Sequence, residues 1–231
     1  MTRPVLVIGG PTASGKSALA LAVAGQFNGE IINADASQIY RELPILTAQP
    51  DAAARAAAPH ALYGIMPASD VVSAAIWREL ATAAIGAAHG AGRLPIVVGG
   101  SGLYLRALLQ GFAPIPDIAA EIRHKARALW AEMGPGNFRA QLAIHDPAMV
   151  ARLKPADSQR HMRAMEVWLG TGRSMSDWQR QPSSGPPAGL RFKSVVLMPP
   201  RQGLWQAIET RFRAMVGAGA IAEALRFQFL S

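Results

Sequence analysis

Residues 10–17 of the chain, Gly10-Pro11-Thr12-Ala13-Ser14-Gly15-Lys16-Ser17, match the pattern G-x-x-x-x-G-K-[ST]. They follow the apolar run Val5-Leu6-Val7-Ile8 and precede the helix-forming stretch from Ala18 to Phe27. Such a segment ends a strand, turns on glycines and opens a helix, and in doing so presents successive backbone N–H groups and a helix N-terminus to an anion. Lys16 adds a point charge, and the Ser17 hydroxyl is a ligand for Mg²⁺. Residues 10–17 are therefore expected to bind a di- or triphosphate, at the end of the first strand of an α/β sheet. Kinases, hydrolases and transferases all use this cradle, so the remainder of the chain must say what happens to the phosphate compound.

A chain of 231 residues that is 50% hydrophobic buries a sizeable core, as one large domain or one domain carrying an insertion. It has no cysteine, which excludes a disulfide framework and a thiolate metal site. The N-terminus runs straight into a strand, and apolar stretches such as Ile96-Val97-Val98 fall far short of the ~20 residues of a membrane helix, so a cytoplasmic protein is expected. The net charge of +8 is unevenly spread: residues 1–113 hold 7 Lys/Arg against 6 Asp/Glu, residues 114–189 hold 10 against 7, and residues 190–231 hold 6 against 2. A basic surface beside a phosphate site suggests a polyanionic partner, nucleic acid first; the other reading is a solubility surface in an Ala/Arg-rich proteome.

Strand-like runs at Val5–Ile8, Glu30–Asn33, Leu94–Val98 and Phe192–Leu197 alternate in the first half with Ala-rich helical segments such as Ala74 to Ala88. That alternation predicts a parallel sheet covered by helices. From Pro114 to about Arg180 the pattern is helical throughout, with segments at Ile118–Met133, Asn137–Ile144, Pro147–Leu153 and Ser158–Leu169. Met162, Met165 and Leu169 have core-face spacing, and Gln181–Gly189 reads as an irregular connector. The expected fold is thus a P-loop NTPase-like α/β core from 1–113 and 190–231, interrupted by an all-helical insertion from 114–189.

Ligands of open α/β sheets bind beyond the carboxyl ends of the strands. Besides the loop, two such ends carry chemistry: Ala34-Asp35-Ala36-Ser37-Gln38-Ile39-Tyr40-Arg41 and Gly99-Gly100-Ser101-Gly102-Leu103-Tyr104. Asp35 fits a general base, a metal-shell ligand or the cap of a following helix. Ser101 fits a ligand-facing hydroxyl or a turn residue. Topology favours function for both, since it carries each toward Lys16.

Together with Thr47-Ala48-Gln49-Pro50, Ala58-Pro59-His60 and Asp157-Ser158-Gln159-Arg160-His161-Met162-Arg163-Ala164-Met165-Glu166-Val167, these segments come in the order and spacing of the tRNA dimethylallyltransferase family, which the chain resembles over nearly its whole length. The resemblance implies that the loop holds the diphosphate of dimethylallyl diphosphate with Mg²⁺, and that the acceptor is N6 of the adenine 3′ to the anticodon of tRNA. Asp35 resembles the base that takes the N6 proton, and Ser101 the hydroxyl that steadies the leaving diphosphate. The resemblance also implies that Asp35, Ala36, Ser37, Gln38 and Ser101 contact the tRNA. Gln159, Arg160, His161, Met162 and Arg163 match the tRNA-contacting helix, and Arg123 a second basic contact. An adenine must leave its stack to reach a sequestered, carbocation-like carbon, which calls for a carboxylate beside a shielded diphosphate. Arg160 and Arg163, three apart on one helix, suit phosphate contact; the other reading of that face is plain solvated surface.

Ala36 stands where the family usually has Ser, Ser101 where it has Thr, and Gln49 where Lys is common. Members also continue past the point where this chain stops, so the expectation is the N-terminal three quarters of such an enzyme, monomeric when complete. Ile221, Leu225 and Phe229 recur at helical spacing as the chain ends, which predicts an exposed apolar patch near Phe227 and Phe229. Two competing functions are a small-molecule kinase using ATP at the same loop and a catalytically inactive RNA-binding remnant.

Overall fold

Between Arg3 and Gly9 the chain is too apolar and too β-branched to lie on a surface. In the computed structural model, which describes residues 2–228, it forms β1 (Arg3–Gly9), with Val5, Val7 and Ile8 buried. β2 (Gly29–Asn33), β3 (His60–Ala61), β4 (Leu94–Gly99) and β5 (Leu190–Val196) complete a parallel sheet in the order β3-β2-β4-β1-β5. Each parallel step needs a crossover, and helices supply them. α1 (Lys16–Phe27), α2 (Ala52–Ala57), α3 (Ala74–Gly90) and α4 (Gly102–Gln110) follow their strands in turn. The short β3 and the helices α2 and α4 were not expected from periodicity, because each is brief or begins on glycine. β5 lies at the sheet edge and is followed by α9 (Arg201–Gly217) and α10 (Ala220–Gln228).

Register aligns the chemistry. Ile8 pairs with Val98 and Gly9 with Gly99, while Asn33 also pairs with Val98, so the carboxyl ends of β1, β4 and β2 stop at one level. The ends are stitched together past the strands: Ala34 N donates to Val98 O (2.7 Å) and Ser101 N to Ala34 O (3.2 Å). Behind them Trp77 of α3 is fully buried, stacks on Tyr104 with ring centroids 4.6 Å apart, and donates through Nε1 to Asn33 O (2.9 Å).

The chain divides into two compact units, residues 1–109 with 186–231 and residues 110–185. The second is entirely helical among its described elements: α5 (Ala120–His145), α6 (Pro147–Arg152), α7 (Ser158–Thr171) and α8 (Met175–Gln179). α5 is two helices in effect, since Gly134 (φ 70°, ψ 166°) and Pro135 break it where the sequence pattern predicts a boundary. Its core gathers Ile118, Phe138, Leu142, Met149, Met165 and Val167, with Met162 and Leu169 packed partly buried against them, so the methionine stripe is packing. Asp146 is buried and accepts from Met149 N (3.0 Å) and Ser176 N (2.9 Å), tying α6 to α8.

Apolar side chains stand exposed on α9 and α10, among them Trp205, Phe212, Ile221 and Leu225. Phe227 is half-buried, and Phe229, the third residue of the expected apolar face, lies outside the described residues.

Gly99 sets the spacing of the strand ends. A Cβ there would lie 1.9 Å from the carbonyl oxygen of Ala34, which is backbone and has no flexible end to yield. Gly99→Ala is expected to lower unfolding free energy by about 2 kcal/mol or more, at the upper side of overpacking costs, measured by urea denaturation. A variant as stable as the parent would show that the strand ends separate freely.

Candidate active site

The phosphate loop is shaped by backbone conformations that few residues accept. Gly10 has φ +149°, and a Cβ on it would lie 2.6 Å from Leu197 O and 2.9 Å from Ser14 Oγ. Ala13 (φ 61°) and Gly15 (φ 89°) are left-handed and swing the chain into α1, which starts at Lys16 with no side chain capping its first N–H groups. Ser14 Oγ is buried with no hydrogen-bond partner. Uncapped helical donors beside an orphaned hydroxyl form a site that an anion completes.

Lys16 Nζ donates to Gly10 O (2.8 Å) and Pro11 O (2.6 Å), which holds the ammonium against the loop. Burial pulls its pKa below the ordinary lysine value; the nearby Asp35 charge pulls it back up, and Arg211 of α9 pushes it further down. Arg211 is thus a second cation whose charge is felt at Lys16, which the motif does not reveal because the two are nearly two hundred residues apart in the chain.

Asp35 sits past the end of β2 in a frame built by Asn33. The fully buried Asn33 accepts through Oδ1 from Asp35 N (2.8 Å) and donates through Nδ2 to Asp35 O (3.0 Å) and Leu62 O (3.0 Å). Asp35 Oδ1 accepts from Ser37 N (3.0 Å) and Ser37 Oγ (2.7 Å). That is a local turn closed by the carboxylate. No helix follows, so the helix-cap reading of Asp35 does not hold.

Ser101 belongs to the same construction. Its Oγ accepts from Ala36 N (2.8 Å), which docks the β4 end onto the backbone beside Asp35 and leaves the hydroxyl proton for another acceptor. A Cβ built on Gly100 would stand 3.4 Å from Gly10 O and 4.0 Å from Asp35 Oδ2. Loop, carboxylate and hydroxyl thus meet around a residue that carries no side chain.

Beside the loop lies a cavity of about 210 Å³ whose wall includes Ser17, Leu21, Ile31, Gln38, Tyr63 and Val98. Burial pushes the Tyr63 phenol far above its ordinary value, with the Asp35 charge adding to the effect, so it stays a neutral hydrogen-bonding group. Burial also lowers the pKa of His60 on the same wall, against the opposing effect of the Ala58 carbonyl that its Nδ1 meets at 2.8 Å. Among the described residues no group of three His, Asp or Glu side chains could hold a metal by itself. Mg²⁺ still fits this chemistry, because it keeps several waters and is commonly held by one or two protein oxygens plus substrate phosphates. The exposed Ser17 hydroxyl at the start of α1 is the protein oxygen the motif supplies.

In the helical unit, α7 opens on Asp157, whose side chain accepts from Arg160 N (3.3 Å) and pairs with the Arg160 guanidinium (3.3 Å). Arg163 pairs with Glu166 (3.0 Å), and Arg123 with Asp117 (2.7 Å). Gln159, Arg160 and Arg123 are exposed and Arg163 is partly so. His161 is different: it is fully buried, with Nδ1 at 2.7 Å from Asp157 O and its ring 6.4 Å from that of Trp130. It and Met162 lie on the core side of the helix, which removes His161 from reach of a surface-bound RNA.

An anion cradle with a carboxylate and a hydroxyl held on neighbouring strand ends is the working arrangement of a P-loop enzyme that moves a group onto or off a phosphate compound. Similarity to known proteins narrows the class. The family profile described as IPP transferase matches residues 38–229. The tRNA dimethylallyltransferase of Rhodospirillum centenum is 52% identical over 99% of this chain and 73% of its own length, and that of Granulibacter bethesdensis 54% identical over 99% and 72%. A eukaryotic dimethylallyltransferase acting on tRNA superposes with a TM-score of 0.83 at 27% identity, over all of this chain and 57% of its own. The tRNA isopentenylpyrophosphate transferase of Bacillus halodurans gives a TM-score of 0.64 at 30% identity, over 100% of this chain and 71% of its own. The chain belongs to the IPP transferase family, a family of transferases. No helix among the described residues is long and apolar enough to cross a membrane.

The lowered pKa of Lys16 makes anion binding pH-dependent with a definite sign. Only the ammonium attracts diphosphate, so affinity is full below the free-state pKa and falls as pH rises through it, while the bound anion shifts the group back up. Titration of inorganic diphosphate into the protein by calorimetry is expected to show affinity falling with a midpoint below the ordinary lysine value, and Lys16→Arg is expected to abolish that inflection. A flat profile up to the ordinary lysine range would contradict the assignment.

Proposed function

We propose that this chain transfers a dimethylallyl group from dimethylallyl diphosphate to N6 of the adenine 3′ to the anticodon in tRNA, in the cytoplasm, with the strand-end groups of residues 1–109 performing the chemistry. The observation that carries this reading is the division of labour between Asp35 and Ser101. Asp35 has one oxygen committed to Ser37 and holds the other, Oδ2, toward Gly100 and the loop. Ser101 has its oxygen committed to Ala36 N and its proton free.

The transfer balances on these groups. The N6 lone pair forms a bond to C1 of the dimethylallyl group as the C1–O bond to diphosphate breaks. The N6 proton passes to Asp35 Oδ2, and the departing diphosphate oxygen receives a hydrogen bond from Ser101. Lys16, the uncapped N–H groups of α1 and Ser14 hold the diphosphate throughout, and Arg211, whose charge is felt at Lys16, adds positive potential. Ser17 and the substrate phosphates would hold Mg²⁺, which when bound would add charge neutralisation on the leaving group. The adjoining cavity receives the apolar tail against Leu21, Ile31 and Val98. A shielded site matters because water would otherwise compete with N6 for an electron-poor carbon.

Gln159, Arg160, Arg163 and Arg123 take the tRNA backbone in this reading. Asp117, the partner of Arg123, is exposed, and such a surface ion pair is worth roughly 0–1 kcal/mol, so an RNA phosphate displaces it at little cost; Asp157 and Glu166, the partners of Arg160 and Arg163, are partly buried. The kinase and inactive-remnant readings are not favoured by the family match.

The test is nucleoside analysis after incubation with dimethylallyl diphosphate, Mg²⁺ and unmodified tRNA. Prenylated adenosine is expected from the unsubstituted chain, and Asp35→Asn is expected to slow its formation by about 10²–10⁴-fold, the usual worth of a positioned base, with affinity for inorganic diphosphate unchanged. Normal turnover in the variant, or phosphoryl transfer from ATP in place of prenylation, would overturn the reading.

A further inference from the structure

We propose that Glu223 is a positioning residue for the transfer reaction: from α10 it holds the 44–49 turn, and through that turn the Gln38 side of the cavity beside the phosphate loop. The proposal rests on that cavity being the place where the prenyl donor binds.

Glu223 is a buried carboxylate with no cation paired to it among the described ion pairs. Its two oxygens are instead spent on two consecutive backbone donors far away in sequence: Oε1 accepts from Ile45 N (2.9 Å) and Oε2 from Leu46 N (2.7 Å). Both donors open a tight helical turn, in which Thr47 N reaches Leu43 O (3.1 Å), Ala48 N reaches Ile45 O (2.9 Å) and Gln49 N reaches Pro44 O (2.9 Å). The first N–H groups of any such turn have no partner within it. Glu223 caps them in trans, as an N-cap side chain would in cis, with both carboxyl oxygens at the positive end of the turn.

The opposite end of the turn points at the site. Its carbonyls at Thr47 and Ala48 both accept from Gln38 Nε2, at 2.8 Å each. Ala48 reaches this geometry in the left-handed region (φ 51°), a conformation that needs outside support in a residue with a Cβ. Gln49 Nε2 donates to Tyr40 O (2.7 Å), which ties the turn back to the segment that begins at Asp35. Gln38, Ala48 and Gln49 all line the cavity. One carboxylate on α10 therefore clamps the far side of a turn whose near side carries a wall of the site. Neither donor nor acceptor is charged at the site end, so the effect passes through geometry alone.

Glu223→Gln is the conservative probe, since it keeps size and shape but turns one acceptor into a donor that faces a backbone N–H. Three readouts are taken together: amide hydrogen exchange, affinity for inorganic diphosphate, and the kinetics of transfer from dimethylallyl diphosphate to unmodified tRNA. Exchange at Ile45 and Leu46 is expected to rise by at least about tenfold, while exchange in β1 and affinity for inorganic diphosphate stay within about twofold. The kcat is expected to fall by about tenfold or more with KM for dimethylallyl diphosphate little changed, as for a misplaced site group, and Glu223→Asp is expected to recover part of it. Unchanged exchange, or raised exchange with unchanged kcat, would overturn the proposal while leaving the transferase reading intact. Absence of transfer by the unsubstituted chain would overturn the transferase reading and the proposal with it. Should Glu223→Gln not fold, the parent decides: rapidly exchanging Ile45 and Leu46 amides would overturn the clamp, and amides protected well beyond the neighbouring surface loop would support it.

Discussion

The site depends on one close approach, between the end of β4 and the chain leaving β2. Gly99 lies so near Ala34 that no side chain fits between them, and the Ala34–Val98 and Ser101–Ala34 hydrogen bonds close the junction. Because parallel register already brings Gly9 level with Gly99, this junction determines where Asp35 and Ser101 stand relative to the phosphate loop. Everything chemical in the first unit is hung from three strand ends. The central strands that carry them are the most deeply buried part of the sheet, which gives the site a rigid base.

Much of this was legible in the sequence, for a physical reason. A phosphate loop obliges a strand before it and a helix after it, and a parallel α/β sheet obliges its ligands to bind past the carboxyl ends of strands. Asp35 and Ser101 follow from those two obligations and a search of the next strand ends. What remained hidden was long-range. Asn33 reads as the last residue of a strand, yet it is the buried frame that orients Asp35. Arg211 and Glu223 show no local signal of a role, because the charge of Arg211 is felt at Lys16 and Glu223 accepts from Ile45 N and Leu46 N across long stretches of chain that no local spacing encodes. Removing the helix-cap reading of Asp35 also needed coordinates, since an Asx-type turn and an N-cap begin with the same residues.

The helical unit divides the same way. Its helices up to α7 and the packing role of Met165 were plain from apolar spacing, and the break at Gly134-Pro135 from composition, while the five-residue α8 is too short to show a period. Resemblance to a family motif, however, carried His161 into the RNA-contacting set along with its exposed neighbours. The helix turns it inward, onto Asp157 O and toward Trp130. A motif marks a stretch of helix; only the helix's orientation separates residues that touch a ligand from those that hold the helix in place.

The central claim is that the ends of β1 and β4 act on one bound diphosphate, and a double-substitution cycle on Lys16→Met and Ser101→Ala tests it most directly. Affinity for dimethylallyl diphosphate would be measured for the parent, each variant and the pair. Groups that grip the same anion are expected to be non-additive by about 1 kcal/mol or more. Effects that add within about 0.3 kcal/mol would mean that the two strand ends serve different ligands, and would contradict a shared diphosphate site.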